Sequence, residues 1–251
     1  MKFPDFIIAG SNKCGTTALW YNLDKHPDIT MATRSKNSIE LKFWGCKWWN
    51  NGIDWYKSRF TGDKLNGEKT PIYIRNKQRL ELISKYIPNV KLIFCFRNPT
   101  NRAYSDFQMM FRGKKNVEFT FNKFKRTYSY PGLYHKQLMN NVLPYFNKNQ
   151  IYICITEHLK NNTVEEMSKI FKFLKVTDIQ LPVKEIHGNL LGKGHTRYDD
   201  IIQNRNEKFY RVWKKEYDPM PEDLKKQIDD FYKPENEKLF NFLGYRIEEW
   251  D

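Results

Sequence analysis

The sequence predicts an α/β fold in three layers, with a central parallel β-sheet flanked by helices. Three observations carry that expectation. Short apolar runs alternate with helix-length segments along the chain, the pattern of strands buried on both faces by crossover helices. The first of these runs empties into a loop bounded by glycines. The 251 residues, 40% hydrophobic and 16% aromatic, are enough for one α/β domain with a substantial core and argue against disorder. A single domain over residues 1–251 is expected, since no internal repeat, low-complexity tract or long Pro/Gly/Ser linker divides the chain.

The elements follow in order. Phe6 to Ala9 reads as a buried strand. It enters the turn Gly10-Ser11-Asn12-Lys13-Cys14-Gly15-Thr16-Thr17, and a helix through Ala18, Leu19, Tyr21, Asn22 and Leu23 carries on to about His26. Strand, glycine-bounded loop and helix N-terminus together cradle a phosphate, because free backbone N–H groups and the positive end of the helix dipole point at the anion. The spacing of Gly10 and Gly15 is P-loop-like, but Thr16 stands where a Walker loop places its lysine and the loop's lysine is Lys13. No acidic strand of Walker B type is evident. The loop therefore suits a phosphate-like group with a lysine beside it and no essential metal. An ordinary tight βα turn is the plain alternative.

Further along, Gly67-Glu68-Lys69-Thr70-Pro71 follows a turn and ends at a proline. Lys91 to Phe96 is an apolar strand bounded by Asn89 and by Arg97-Asn98-Pro99, and a helix from about Thr100 to Phe111 follows, with Pro99 well placed at its start. Ile151 to Ile155 is another strand, succeeded by a helix from about Val164 to Leu174. The last helix is expected from Glu222 through Phe242, with Pro234 interrupting or kinking it. Ligands of such sheets lie beyond the carboxyl ends of the strands, where the Gly10 loop and the Arg97 segment both emerge.

Composition narrows the function. Lys plus Arg total 43 against 29 Asp plus Glu, a formal net charge of +14. A field of that sign attracts polyanions. The basic residues are scattered and carry no helix-turn-helix, zinc-finger or RNA-recognition signature, so a specific nucleic-acid target is not expected. No run approaches the ~20 apolar residues of a membrane span and no signal peptide is seen. Cys14, Cys46, Cys95 and Cys154 show no metal spacing. Cys95 and Cys154 read as buried thiols, and a cytoplasmic, reducing setting is expected.

Three constellations carry the chemistry. The first is the Gly10 loop. In the second, Phe96-Arg97-Asn98-Pro99-Thr-Asn-Arg102-Ala-Tyr-Ser105-Asp106, an arginine leaves a strand end and a serine follows eight residues later. A planar guanidinium forks onto phosphate oxygens, and a hydroxyl adds a neutral donor. In the third, Leu191-Gly192-Lys193-Gly194-His195-Thr196-Arg197, two glycines bracket a lysine in a segment able to fold over a nucleotide.

Together these segments resemble the sulfotransferases that use 3′-phosphoadenosine 5′-phosphosulfate (PAPS). The likeness is to the carbohydrate branch that sulfates heparan sulfate at nitrogen or the 3-hydroxyl, and it runs in order through the whole chain. The resemblance implies that Lys13, Cys14, Gly15, Thr16 and Thr17 form the 5′-phosphosulfate loop. It implies that Arg97 and Ser105 bind the 3′-phosphate, and that Lys193, Gly194, His195 and Arg197 close over the nucleotide, with His195 where many relatives carry Arg. Glu40-Leu-Lys-Phe-Trp44 resembles the family's Glu-x-His/Gln-Phe-Phe segment, which makes Glu40 the catalytic base beside the catalytic Lys13. Lys42 stands in the place of the His or Gln, and Lys42 and Lys69 are the implied substrate-binding residues. Gly52-Ile-Asp-Trp55-Tyr56 and Glu68-Lys69-Thr70-Pro71-Ile-Tyr73 also match. The implied reaction moves a sulfuryl group from PAPS to a hydroxyl or amine of a carbohydrate acceptor, releases adenosine 3′,5′-bisphosphate (PAP) and needs no metal. A P-loop kinase-like phosphotransferase and a non-enzymatic polyanion-binding protein are the alternatives.

Overall fold

Five strands form one all-parallel sheet in the computed structural model, which describes residues 1–35, 38–111, 117–180, 183–186, 209–212 and 219–250. They are β1 (Phe6–Gly10), β2 (Ile29–Met31), β3 (Leu65–Lys69), β4 (Lys91–Phe96) and β5 (Ile151–Ile155), in the order β2-β3-β1-β4-β5. Two further strands, β6 (Val183–Ile186) and β7 (Phe209–Val212), pair in parallel as a separate ribbon. The central strand β1 is buried at every residue, which is why its sequence is a continuous apolar run rather than an alternating one. Ile7 lies opposite Glu68 on one side and Leu92 on the other.

Among the described residues the α-helices are α1 (Thr16–Asp24), α2 (Gly52–Lys57), α3 (Lys77–Tyr86), α4 (Pro99–Met110), α5 (Phe121–Lys123), α6 (Tyr134–Gln137), α7 (Thr156–Asn161), α8 (Thr163–Leu174) and α9 (Glu222–Leu243). Local chemistry sets several of their starts. The Asn98 side chain accepts from the Asn101 N–H at 3.0 Å with Pro99 in the first helical position, and Asn76 does the same for Arg79 at 3.1 Å, each satisfying a backbone donor that a helix start leaves free. The helix expected to reach His26 stops at Asp24. Pro234 does not interrupt α9: Ile228 and Tyr232 before it and Leu239 and Phe240 after it are all buried, so packing on both sides outweighs one lost backbone hydrogen bond. Among the described residues no helix is long and apolar enough to cross a membrane.

The order of strands creates the site. From β1 the chain runs out to β2 and β3 on one side, then returns to β4 and β5 on the other. The crevice at such a reversal, beyond the carboxyl ends of the strands, is where an α/β sheet binds ligands. Close packing holds this region in register. A Cβ on Gly67 would fall 2.3 Å from the Phe6 ring and 2.6 Å from the Met31 sulfur, so β3 approaches its neighbours as only glycine permits. A second cluster, with Phe107, Phe124, Ile228 and Tyr232 at its centre, fastens α4 to α9.

Candidate active site

Beyond Gly10 the chain turns through Ser11 to Gly15 before α1 begins. The Ser11 N–H donates to the Cys95 carbonyl at 2.9 Å and pins the loop to β4. Lys13 (φ 67°) and Gly15 (φ 72°) are left-handed, a conformation that costs a non-glycine residue about 1–2 kcal/mol. Left-handed residues among right-handed ones gather successive N–H groups into an anion-binding concavity. No side chain caps α1, and its first turn holds no acidic residue, so its N–H groups and positive dipole end remain available to an external anion.

The Lys13 ammonium lies 3.3 Å from the Met109 thioether, a weak acceptor. Burial lowers its pKa; Asp106 opposes that, and Arg97 and Arg102 reinforce it. Arg97 leaves β4 and donates to the Lys13 carbonyl at 3.4 Å. Arg102, fully buried, donates to Asp106 at 3.1 Å and to the Tyr128 carbonyl at 2.6 Å, while Arg75 stands 4.0 Å from the same carboxylate. Four cations thus share this region with Asp106, which leaves it positive. Ser105, nearly buried, lies on α4 next to Asp106.

Glu40 forms an isolated parallel bridge with Lys69 at the end of β3. Its segment is held from behind: the Lys42 N–H donates to Thr70 Oγ1 at 3.0 Å, and the Phe43 and Trp44 N–H groups donate to the Tyr73 hydroxyl at 3.0 and 3.4 Å. Lys69, 3% exposed, donates to Glu40 Oε1 at 3.0 Å and to Thr17 Oγ1 at 3.0 Å, while Lys42 reaches Glu40 Oε2 at 3.3 Å. Burial pushes the Glu40 carboxyl up, but Lys69 and then Lys42 outweigh it and leave the group below its ordinary value. Burial lowers the Lys69 ammonium, with Glu40 resisting. Glu40 is therefore an ion-paired carboxylate and not a freely solvated one.

The expected residues divide into three sets. Lys13 and Arg97 form one contacting group, and Thr17, Lys69, Glu40 and Lys42 form another. Cys14 contributes backbone more than thiol: burial pushes its pKa up to about 12, with the hydrogen bond it shares with Tyr134 opposing, so it is a neutral, enclosed group. Lys193, Gly194, His195 and Arg197 lie outside the described residues. Sequence reasoning missed Tyr134, whose hydroxyl donates to the Arg97 carbonyl at 2.8 Å and lies 3.4 Å from Cys14 Sγ. It also missed Thr156, whose hydroxyl sits 2.9 Å from both the Cys14 and Phe96 carbonyls. Thr156 had a signal in its place just past an apolar strand; Tyr134, far away in sequence, had none. Among the described residues no group of three or more His, Cys, Asp or Glu side chains is placed to hold a metal ion.

A cation–aromatic ledge adjoins Glu40. Arg34 donates to the Glu40 carbonyl at 3.3 Å and lies 5.0 Å over Trp48. Trp48 stacks with Trp55 at 6.1 Å, and Arg59 lies 4.9 Å over Trp55.

The sulfotransferase domain family matches residues 3–242 of this chain. Among curated proteins the chain is similar to the bifunctional heparan sulfate N-deacetylase/N-sulfotransferase 1 of Caenorhabditis briggsae, with 26% identity over 275 residues, 99% of this chain and 31% of that protein. It is also similar to the membrane-associated sulfotransferase kil1 of Dictyostelium discoideum, with 35% identity over 129 residues, 47% of this chain and 26% of that protein. The chain spans about a third or less of these relatives' length. A solved sulfotransferase from Alicyclobacillus acidocaldarius shares the fold with a TM-score of 0.72 at 19% identity, over 100% of this chain and 99% of that one. Mouse sulfotransferase SULT7A1, solved in complex with PAP, gives 0.51 at 14% identity over 94% and 84%. A family match across nearly the whole chain, on the fold those structures share, means that this chain belongs to the sulfotransferase domain family.

Proposed function

We propose that the chain transfers a sulfuryl group from PAPS to a hydroxyl or amine of a carbohydrate acceptor that carries acidic groups. The line Thr17–Lys69–Glu40, with both contacts at 3.0 Å, carries this reading. It joins an anion-binding loop to a carboxylate through one buried cation, so that a donor held by the loop lies within reach of an acceptor held by Glu40. The acceptor atom bonds to sulfur as the bond from sulfur to the bridging oxygen of the 5′-phosphate breaks. The electron pair leaves with PAP, and the acceptor proton passes to Glu40. Charge grows on the bridging oxygen, where Lys13 and the N–H groups of Gly15, Thr16 and Thr17 meet it. Arg97 and Ser105, with the Lys193 loop, take the 3′-phosphate.

On the acceptor side, Lys42 and the Arg34–Trp48–Trp55–Arg59 ledge supply cations and flat apolar faces, the chemistry that suits an acidic sugar. The heparan sulfate activity named for the relatives supports that class. Incubation with labelled PAPS in EDTA, with a panel of acidic and neutral saccharides read by mass spectrometry, tests the reading. Addition of a sulfuryl group to a saccharide is expected. Phosphoryl transfer that needs ATP and Mg²⁺, or no turnover on any acceptor, overturns it.

A further inference from the structure

Trp250 lies outside every motif that the sequence analysis singled out, yet the structure ties it to both strand-end segments of the nucleotide side. It is buried in a short 3-10 turn, Glu248–Trp250. Two routes lead from it. In the first, its indole Nε1 donates to Glu157 Oε2 at 3.1 Å, and the other oxygen of that carboxylate accepts the Asn98 N–H at 3.0 Å. Asn98 directly follows Arg97 and caps α4. In the second, the indole packs 5.8 Å from the Tyr134 ring, which stacks on Phe96 at 4.2 Å. The Tyr134 hydroxyl then holds the Arg97 carbonyl at 2.8 Å and lies 3.4 Å from Cys14 Sγ in the Gly10 loop.

We infer that Trp250 is a positioning residue for the 3′-phosphate side of the nucleotide site, acting through Glu157 and Tyr134. The Glu157 carboxylate is half-buried and fixed by two donors, one at each oxygen. Removing the indole donor frees that oxygen to seek water or another partner, because a carboxylate oxygen is not left without a donor. The carboxylate then no longer presents its other oxygen to Asn98 in a single orientation. The strand-to-helix turn carrying Arg97 loses its stop, and the guanidinium loses the fixed geometry that lets it read a phosphate. Glu40 touches neither route, and Lys13 meets them through its backbone, whose carbonyl accepts from Arg97 at 3.4 Å, while its ammonium lies against Met109.

This inference rests on the proposed assignment of Arg97 to the 3′-phosphate, and the test separates the two. PAP and ADP are titrated against the wild-type chain, Trp250→Phe and Glu157→Gln, at a temperature where circular dichroism shows each folded. Trp250→Phe keeps the ring packing but no N–H. Glu157→Gln keeps an oxygen for Asn98, while its amide nitrogen cannot accept from the indole. Each variant is expected to lose about tenfold or more in PAP affinity, the scale of one hydrogen bond to a charged group. Each should also narrow the preference for PAP over ADP and leave kcat at saturating PAPS near wild type. The double variant should lose no more than either single one, since both break one contact. A lower melting temperature with wild-type PAP affinity and an unchanged PAP/ADP ratio overturns the inference, as does full additivity in the double variant. A wild-type chain with no preference for PAP overturns the 3′-phosphate assignment instead. If Trp250→Phe does not fold, Glu157→Gln and its PAP/ADP ratio decide the matter.

Discussion

Two lysines with different surroundings take different roles around the same loop. Lys69 is enclosed and committed, with Thr17 on one side and Glu40 on the other; among the described residues the Lys13 ammonium donates to a thioether and has strong donors to spare. A cation poised without a strong acceptor is the one able to meet charge that appears during reaction. Lys13→Ala is therefore expected to lower turnover by ~10²-fold or more with a smaller change in nucleotide affinity, and steady-state kinetics beside a PAP titration measures both. A loss confined to affinity would make Lys13 a ground-state anchor. Glu40→Gln tests the base. Glutamine keeps the size and one acceptor oxygen but cannot take a proton at neutral pH, so folding and PAP binding should survive while the rate falls ~10²–10⁴-fold. Glu40 is held below the ordinary carboxylate value by Lys69 and Lys42 against its burial, so the acidic limb it sets should lie below pH 4.5 and vanish in the variant. Near-normal turnover would pass the role to another group, with His195 the first candidate and His26, His135, His158 and His187 after it.

At the level of elements, β3 shows where local reading reaches its limit. The Gly10 loop was legible because its signals are contiguous: an apolar run, two glycines and a helix start. β3 reads Leu-Asn-Gly-Glu-Lys, which has no strand periodicity, yet Asn66, Glu68 and Lys69 are buried. Their burial is made possible by partners distant in sequence, Asp5 for Asn66, and Glu40 and Thr17 for Lys69. β2, three residues long, was invisible for the same reason, and the interruption considered at Pro234 does not occur because tertiary packing overrides a local penalty. Glu40 was singled out only through its place in a series of family-like segments, since nothing local marks it. On the face of β3 away from Lys69, Glu68 is fully buried beside Tyr73 and Tyr56, and burial pushes its carboxyl up to about 8, those hydroxyls opposing. The folded value exceeds the unfolded one, so the fold favours the protonated form. Stability is then full below about pH 4.5 and declines as pH rises through about 8. Glu68→Gln should flatten that decline, on the order of a few kcal/mol across the window, in urea unfolding followed from pH 5 to 9. An unchanged pH dependence would place the ionisation elsewhere.

For the molecule as a whole, the net charge of +14 and the cations around Asp106 act over different ranges. The overall field raises encounter rates with any anion and is screened within about 10 Å at 0.1 M salt. It cannot distinguish PAP from ADP, because both are anionic nucleotides. Discrimination has to come from fixed geometry around Arg97 and Ser105, the residues proposed here to take a 3′-phosphate that ADP lacks. A ligand that binds only the folded state at 100 times its Kd adds about 2.7 kcal/mol, which at roughly 2–4 °C per kcal/mol for a chain of this size is a shift of roughly 5–10 °C. PAP is expected to give a shift of that order and ADP a much smaller one at equal concentration. Raising the salt should shrink both shifts, as screening weakens the common field, while their difference persists because bidentate contacts carry geometry as well as charge. Equal shifts at every salt concentration would mean that only the field is felt and that the 3′-phosphate site is wrongly placed. A difference that disappears in step with ionic strength would mean that charge, and not the geometry of Arg97, does the reading.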